Sequence, residues 1–233
     1  MDPAVIALTI GCALACAVLV VAEWRGLATL RIAGKLVASA AFVALGIAAF
    51  RAGRHGAYDA GRVQFSHAIV TGLVLGALGD ACLLGAGKRW FLAGLVAFLC
   101  GHLAYVAGIA MIEPAERWRG DAGWLAAVPV AVGLAALGLL WPRLGSLRLA
   151  VIAYVATISV MVVAAIAAAR GAALPEPNRC WLVVGASVFF VSDLSVARDR
   201  FVAHTFTNKL WGLPAYYAGQ LLLAWSIAGS AGP

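Results

Sequence analysis

The sequence predicts an all-α integral membrane protein with eight transmembrane helices in one bundle, and three observations carry that expectation. Hydrophobic residues make up 64% of the 233 and charged ones only 12%, with a mean hydropathy of +0.97, a balance far from that of a water-soluble domain. Apolar runs near the ~20 residues that a bilayer requires recur along the whole chain. The connectors between them are short and carry turn and charge residues, which leaves no room for an extramembrane domain and makes residues 1–233 a single transmembrane domain.

The first run, Ala4 to Ala22, has no basic flank before it and is long enough to span, which predicts a retained helix and not a cleaved signal. The second, Ile32 to Phe50, is entered through Lys35, and the third, His67 to Gly87, contains Asp80. The fourth, Trp90 to Ile112, carries His102 and Tyr105 at helical i, i+3 spacing. Ala122 to Trp141 and Leu149 to Ala169 form the fifth and sixth. The seventh, Cys180 to Ala197, contains Asp193, and the eighth, Leu210 to Gly229, carries Tyr216 and Gln220 at i, i+4. Turn-rich connectors such as Arg51 to Gly56 and Leu174 to Asn178 separate the runs.

Charge placement sets orientation and excludes a class of partner. Ten of the 17 lysines and arginines, counting Lys35 at the entry of span 2, lie on the side of the loops joining spans 1–2, 3–4, 5–6 and 7–8, which the positive-inside rule puts in the cytoplasm with both termini outside. The net charge of +7 sits in these short loops, where anionic membrane lipids, not nucleic acid, are the natural partner. The five cysteines are scattered through apolar runs with no C-x-x-C, which argues against a disulfide framework or a thiolate metal site. No obligate protein partner is indicated. The expected location is the bacterial inner (cell) membrane.

An internal parallel 4+4 repeat, with units 1–117 and 118–233, is read from three matches. "WRGLATLRIA" (24–33) aligns with "WPRLGSLRLA" (141–150), "GDACLLG" (79–85) with "SDLSVAR" (192–198), and "AYVAG" (104–108) with "AYYAG" (215–219).

The residues that point to chemistry are the buried ionisable ones. A carboxylate near the middle of a bilayer costs roughly 2.5–3.5 kcal/mol even on the lenient insertion scale, so function must account for it. Counted from the helix ends, Asp80 lies roughly 10 Å deep and Asp193 roughly 7 Å deep at 1.5 Å per residue. Lys35 enters from the same side and Glu23 sits at that boundary, so four ionisable residues from four spans share one layer. Lys35 is a counter-ion for the aspartates, a ligand for a lipid phosphate, or a snorkelling side chain. Glu23, beside Arg25, has the alternative of a plain interfacial pair. His102, Tyr105, Tyr216 and Gln220 either tie helices together or, as the repeat match of the two tyrosines suggests, face one cavity. No metal or other cofactor is expected: His55 and His67 fall at the outer side, His102 mid-membrane and His204 in an inner loop, so no three can meet one ion. A G-x-S-x-G elbow is absent.

The motifs "GDACLLG", "FLAGLVAFLCGHLAYVAG", "VFFVSDLSVARDRF" and "YYAGQLL", together with "AEWRG" and Lys35, resemble those of the YhhN-like lysoplasmalogenases over most of the chain. One departure is Leu36, where the family usually has proline after the lysine. The resemblance implies hydrolysis of the vinyl ether bond of a lysophospholipid, the lysoplasmalogen, to a fatty aldehyde and glycerophosphoethanolamine or glycerophosphocholine. It implies Asp80 and Asp193 as the catalytic pair. The chemistry is compatible with the residues, because a vinyl ether opens when acid protonates its β-carbon and water captures the resulting oxocarbenium ion. Two carboxyls in a low-dielectric pocket divide that labour, one as acid and one as carboxylate, with Lys35 beside the latter. The alternative is a proton-coupled membrane transporter, since intramembrane acids in a repeated bundle also mark proton relays. Its usual sign, helices broken at corresponding positions, is missing, because Pro129 and Pro214 do not correspond under the repeat.

Overall fold

A computed structural model describes residues 3–53, 59–171 and 174–228. The described residues are helical with short connectors: α1 (Pro3–Arg25), α2 (Ala28–Gly53), α3 (Ala60–Cys82), α4 (Lys88–Ile112), α5 (Trp118–Ala122), α6 (Ala127–Leu140), α7 (Arg148–Arg170), α8 (Asn178–Phe201) and α9 (Phe206–Trp225). Among them, seven helical segments are long and apolar enough to cross a membrane, including the broken segment Ala115–Arg143 that contains α5 and α6. This is an integral membrane protein. The eighth expected crossing, α9, is long enough but less apolar, because it carries Asn208, Lys209, Gln220 and two tyrosines.

Three expectations are corrected in detail. Helix α3 starts at Ala60, seven residues before His67, because Asp59 caps it by accepting the Arg62 N–H at 2.8 Å. It ends at Cys82 instead of Gly87, so Asp80 lies two residues from the helix end and Asp193 lies eight residues before the end of α8. These counts correspond to about 3 Å and about 12 Å along the helix axes, against the roughly 10 and 7 Å counted from sequence. The fifth crossing is not one helix: Gly123, at φ +58°, breaks it between α5 and a 3-10 turn, a conformation that a side chain would strain. Within the connectors, α2 runs on through Arg51, whereas Arg54, His55 and Gly56 lie outside the described residues, as does Gly229 at the end of the last span.

Small residues determine how closely the helices approach, since lipid gives no hydrophobic drive for helix to meet helix. Gly101 of α4 sits on the Gly72 carbonyl of α3, and Gly219 of α9 sits on the backbone of Phe189 in α8. Helix α9 packs against α8 and also against α1, α2 and α3, so it is the element around which the two ends of the chain meet. That position accounts for its polar content: Asn208, Tyr217 and Gln220 are buried in protein, not turned to lipid. At Gly72 an added Cβ would come within 2.2 Å of the Tyr105 ring. Gly72→Ala is therefore expected to lower the thermal midpoint by forcing Tyr105 off its rotamer, at a cost of about 1–3 kcal/mol, measurable by thermal unfolding in detergent.

Candidate active site

Helical spacing places Lys35 and Ser39 one turn apart on the face of α2 that meets α3. Asp80, 1% exposed, receives both. Lys35 Nζ donates to Asp80 Oδ1 at 2.5 Å and Ser39 Oγ donates to Oδ2 at 2.7 Å. Each carboxylate oxygen thus has a partner, one of them a cation, in a charge-assisted pair.

Asp193, on α8, has different company. Tyr154 of α7 donates its phenolic hydrogen to Asp193 Oδ2 at 2.9 Å. His102 Nε2 lies 3.6 Å from the same oxygen. Among the described residues no lysine or arginine pairs with Asp193. The two carboxyls therefore differ in kind: one is ion-paired and doubly hydrogen-bonded, the other meets a phenol and an imidazole.

Both open into one cavity of about 450 Å³, lined by Lys35, Asp80, Tyr154, Asp193 and Tyr216 among others. Its walls are apolar, with Leu95 and Phe98 from α4, Leu140 from α6, Val155 and Ile158 from α7, and Phe190 from α8. Polar residues edge it where α8 turns into α9: Asp199 accepts from Lys209 Nζ at 3.2 Å and pairs with His204 Nδ1 at 2.9 Å. Arg200 lies there too, its guanidinium 4.4 Å from the Phe91 ring centroid, so that a cation faces the cavity over an aromatic support. A cavity with apolar walls, two unlike carboxyls and a charged edge fits an amphiphile whose reactive bond lies between its tail and its head group.

The chain matches the family model of the YhhN family over residues 30–227, which takes in nearly all of α2 and every helix after it. It belongs to the YhhN family. Among curated relatives, Lysoplasmalogenase TMEM86A of Bos taurus is 32% identical over 170 residues, covering 71% of this chain and 67% of the relative. Lysoplasmalogenase TMEM86A of Homo sapiens is 31% identical over the same length, with the same coverage. No solved structure matches the chain.

In this YhhN-family protein the sequence-nominated residues separate into three groups. Asp80, Asp193, Lys35 and Tyr216 line the cavity. His102, Tyr105 and Gln220 are buried behind it: Tyr105 donates to Gln220 Oε1 at 2.7 Å, and Gln220 Nε2 donates to the Tyr216 hydroxyl at 3.1 Å. That chain of Tyr105 and Gln220 braces Tyr216, while His102 bonds the Phe98 carbonyl. Glu23, near the C-terminal end of α1, is not among the cavity residues. Two contributors went unnoticed in the sequence, Ser39 and Tyr154. The signal for Ser39 was its i+4 spacing from Lys35, which puts both on one helix face. Tyr154 offered only a phenol in an apolar span, whose partner becomes evident once α7 is packed against α8.

Proposed function

We propose that this protein is a lysoplasmalogenase, hydrolysing the vinyl ether bond of a lysoplasmalogen to a fatty aldehyde and glycerophosphoethanolamine or glycerophosphocholine. The observation that carries the reading is the pair of unlike carboxyls, Asp80 with Lys35 and Asp193 without a lysine or arginine partner among the described residues, on one apolar-walled cavity. The names of the two TMEM86A relatives support it.

Asp193 acts as the acid. Its proton passes to the β-carbon of the vinyl ether as the double-bond electrons form the C–H bond, leaving an oxocarbenium ion. The Asp80 carboxylate, fixed by Lys35 and Ser39, faces that cation and orients water toward it. Water adds to the oxocarbenium carbon and its proton returns to Asp193. The hemiacetal then collapses, the glycerol oxygen leaving as an alcohol and the hydroxyl proton closing the cycle. Lys35 and Tyr216 serve as substrate-facing groups, while the Arg200 and Lys209 edge suits the phosphate of the head group.

The deciding experiment incubates detergent-purified protein with lysoplasmalogen, without added metal or nucleotide, and traps the aldehyde by prompt reduction. In heavy water one solvent deuteron is expected on the carbon next to the aldehyde, and oxygen-18 water is expected to label the aldehyde and not the glycerol. Label in glycerol would overturn these roles. No aldehyde across head groups and pH would overturn the enzyme and favour a proton-coupled transporter. Tyr154→Phe removes one hydrogen bond to Asp193 and leaves the carboxyl in place, so kcat is expected to fall by about tenfold, at the mild end of effects on acid–base groups, with KM little changed.

The same reading includes eight crossings in one domain built from two like-wound units of four. Support comes from α9, whose 20 residues reach ~30 Å, enough to cross. Glycine packing supports the duplication too: Gly101 approaches the Gly72 carbonyl and Gly94 the Gly79 carbonyl, as Gly185 approaches the Gly219 carbonyl, while a Cβ at Gly212 would meet Ser195 first and lie 3.9 Å from the Ser192 carbonyl. This pairing sets Tyr216 opposite Phe98, not Tyr105, about two helical turns from the register of the "AYVAG" and "AYYAG" match.

A further inference from the structure

His102 is buried beside Asp193, yet it does not line the cavity. Its Nδ1 lies 2.7 Å from the Phe98 carbonyl one turn earlier in α4. A carbonyl only accepts, so Nδ1 carries the hydrogen, and in the neutral ring Nε2 is a bare lone pair. That Nε2 is buried without a hydrogen-bond partner. It points at Asp193 Oδ2, 3.6 Å away.

No neighbouring hydroxyl is free to satisfy it. The Tyr154 hydrogen is committed to Asp193 and the Tyr105 hydrogen to Gln220. Phe189 covers the ring at 4.7 Å between centroids. On the remaining elements around the cavity, Lys35 of α2 and Asp80 of α3 are paired with each other, and Tyr216 of α9 packs edge-on against Phe98 and Phe189 and is not among the rings packed against His102. Two acceptors that face one another, one of them buried, are reconciled by a hydrogen between them. The 3.6 Å separation is a few tenths of an ångström beyond hydrogen-bond range.

We infer that His102 and Asp193 share one exchangeable proton, which makes His102 a positioning residue that acts through Asp193 and does not bind substrate. When the proton moves, the Asp193 O–H bond breaks as the Nε2–H bond forms, giving a carboxylate beside an imidazolium whose two N–H groups face Asp193 and Phe98. The reverse transfer reloads the acid. The inference rests on the proposed acid role of Asp193 only for its catalytic meaning, since the shared proton is observable without substrate.

The test is nitrogen-15 NMR of histidine-labelled full-length protein, with His102 assigned by difference from variants at His55, His67 and His204. In the wild type Nδ1 is expected to keep its hydrogen at every pH, while the Nε2 signal lies between bare and protonated values and moves with pH. In Asp193→Asn the Nε2 signal should sit at the bare value and stop moving through the neutral range. A fixed hydrogen on Nε2 with a bare Nδ1, or an Nε2 signal that behaves identically in both proteins, would overturn the inference. His102→Gln is expected to lower kcat by about 10- to 100-fold with KM within twofold, since the acid remains but loses its second proton seat. A shared proton in a protein that releases no aldehyde would retain this inference and reject the lysoplasmalogenase reading.

Discussion

Asp193→Asn is expected to abolish aldehyde release, by at least about 10³-fold, in a protein that still purifies as a folded, monodisperse species. An amide still accepts from Tyr154 through its oxygen, so the α7 contact survives. It carries no acid proton for carbon, and vinyl ether opening cannot start without one. Burying the amide costs less than burying a charge, which is why fold and activity separate at this position. Asp80→Asn is expected to be as inactive but less stable. It leaves the Lys35 ammonium, only 12% exposed, without its carboxylate, and breaking a buried ion pair from one side costs about 3–5 kcal/mol. Turnover assays paired with thermal unfolding distinguish the two variants. Retained turnover in either would remove that aspartate from the catalytic pair.

How much of this was legible in the chain differs by element. Spans one to four and six to seven were marked by long apolar runs, and the largest shift of an end, at the start of α3, falls where Asp59 caps the helix. The apolar part of the fifth crossing was read from Ala122, next to the break at Gly123, but the 3-10 turn over Gly123–Ala126 was not legible, because it depends on the backbone at Gly123 and the residues after it are uniformly apolar. Helix α9 was located from its apolar stretch, but its first turn at Phe206 was missed because the polar residues Asn208 and Lys209 disguise it. Within the site, Asp80 and Asp193 were conspicuous because carboxyls in apolar runs are costly. Their difference was not, since it is produced by residues on other helices: Lys35 and Ser39 from α2 reach one, Tyr154 from α7 and His102 from α4 the other. Sequence spacing reports which residues share a helix face. It does not report which faces meet, and so it left His102 and Tyr105 open between tying helices together and facing the cavity, which they support from behind.

The role of Lys35 yields the second large effect. Were it a snorkelling side chain, Lys35→Met would keep the apolar stem, lose only a head-group contact and turn over nearly normally. The 2.5 Å bond to Asp80 leads to another expectation. Without the ammonium, Asp80 retains one hydrogen bond, from Ser39, and loses the partner that fixes its Oδ1. An Asp80 held on one side only is no longer preorganised against the positive charge that develops on the substrate. Removing one preorganised electrostatic partner costs about 10²–10³ in kcat, and that is the loss expected for Lys35→Met, with KM much less affected. Stability gives an independent check. Lys35→Met and Asp80→Asn each strand one member of the pair, whereas the double variant strands neither, so the double variant should unfold at a higher temperature than Asp80→Asn alone. Additive losses in that cycle, together with near-normal turnover in Lys35→Met, would return Lys35 to the membrane surface and leave Asp80 without the partner that distinguishes it from Asp193.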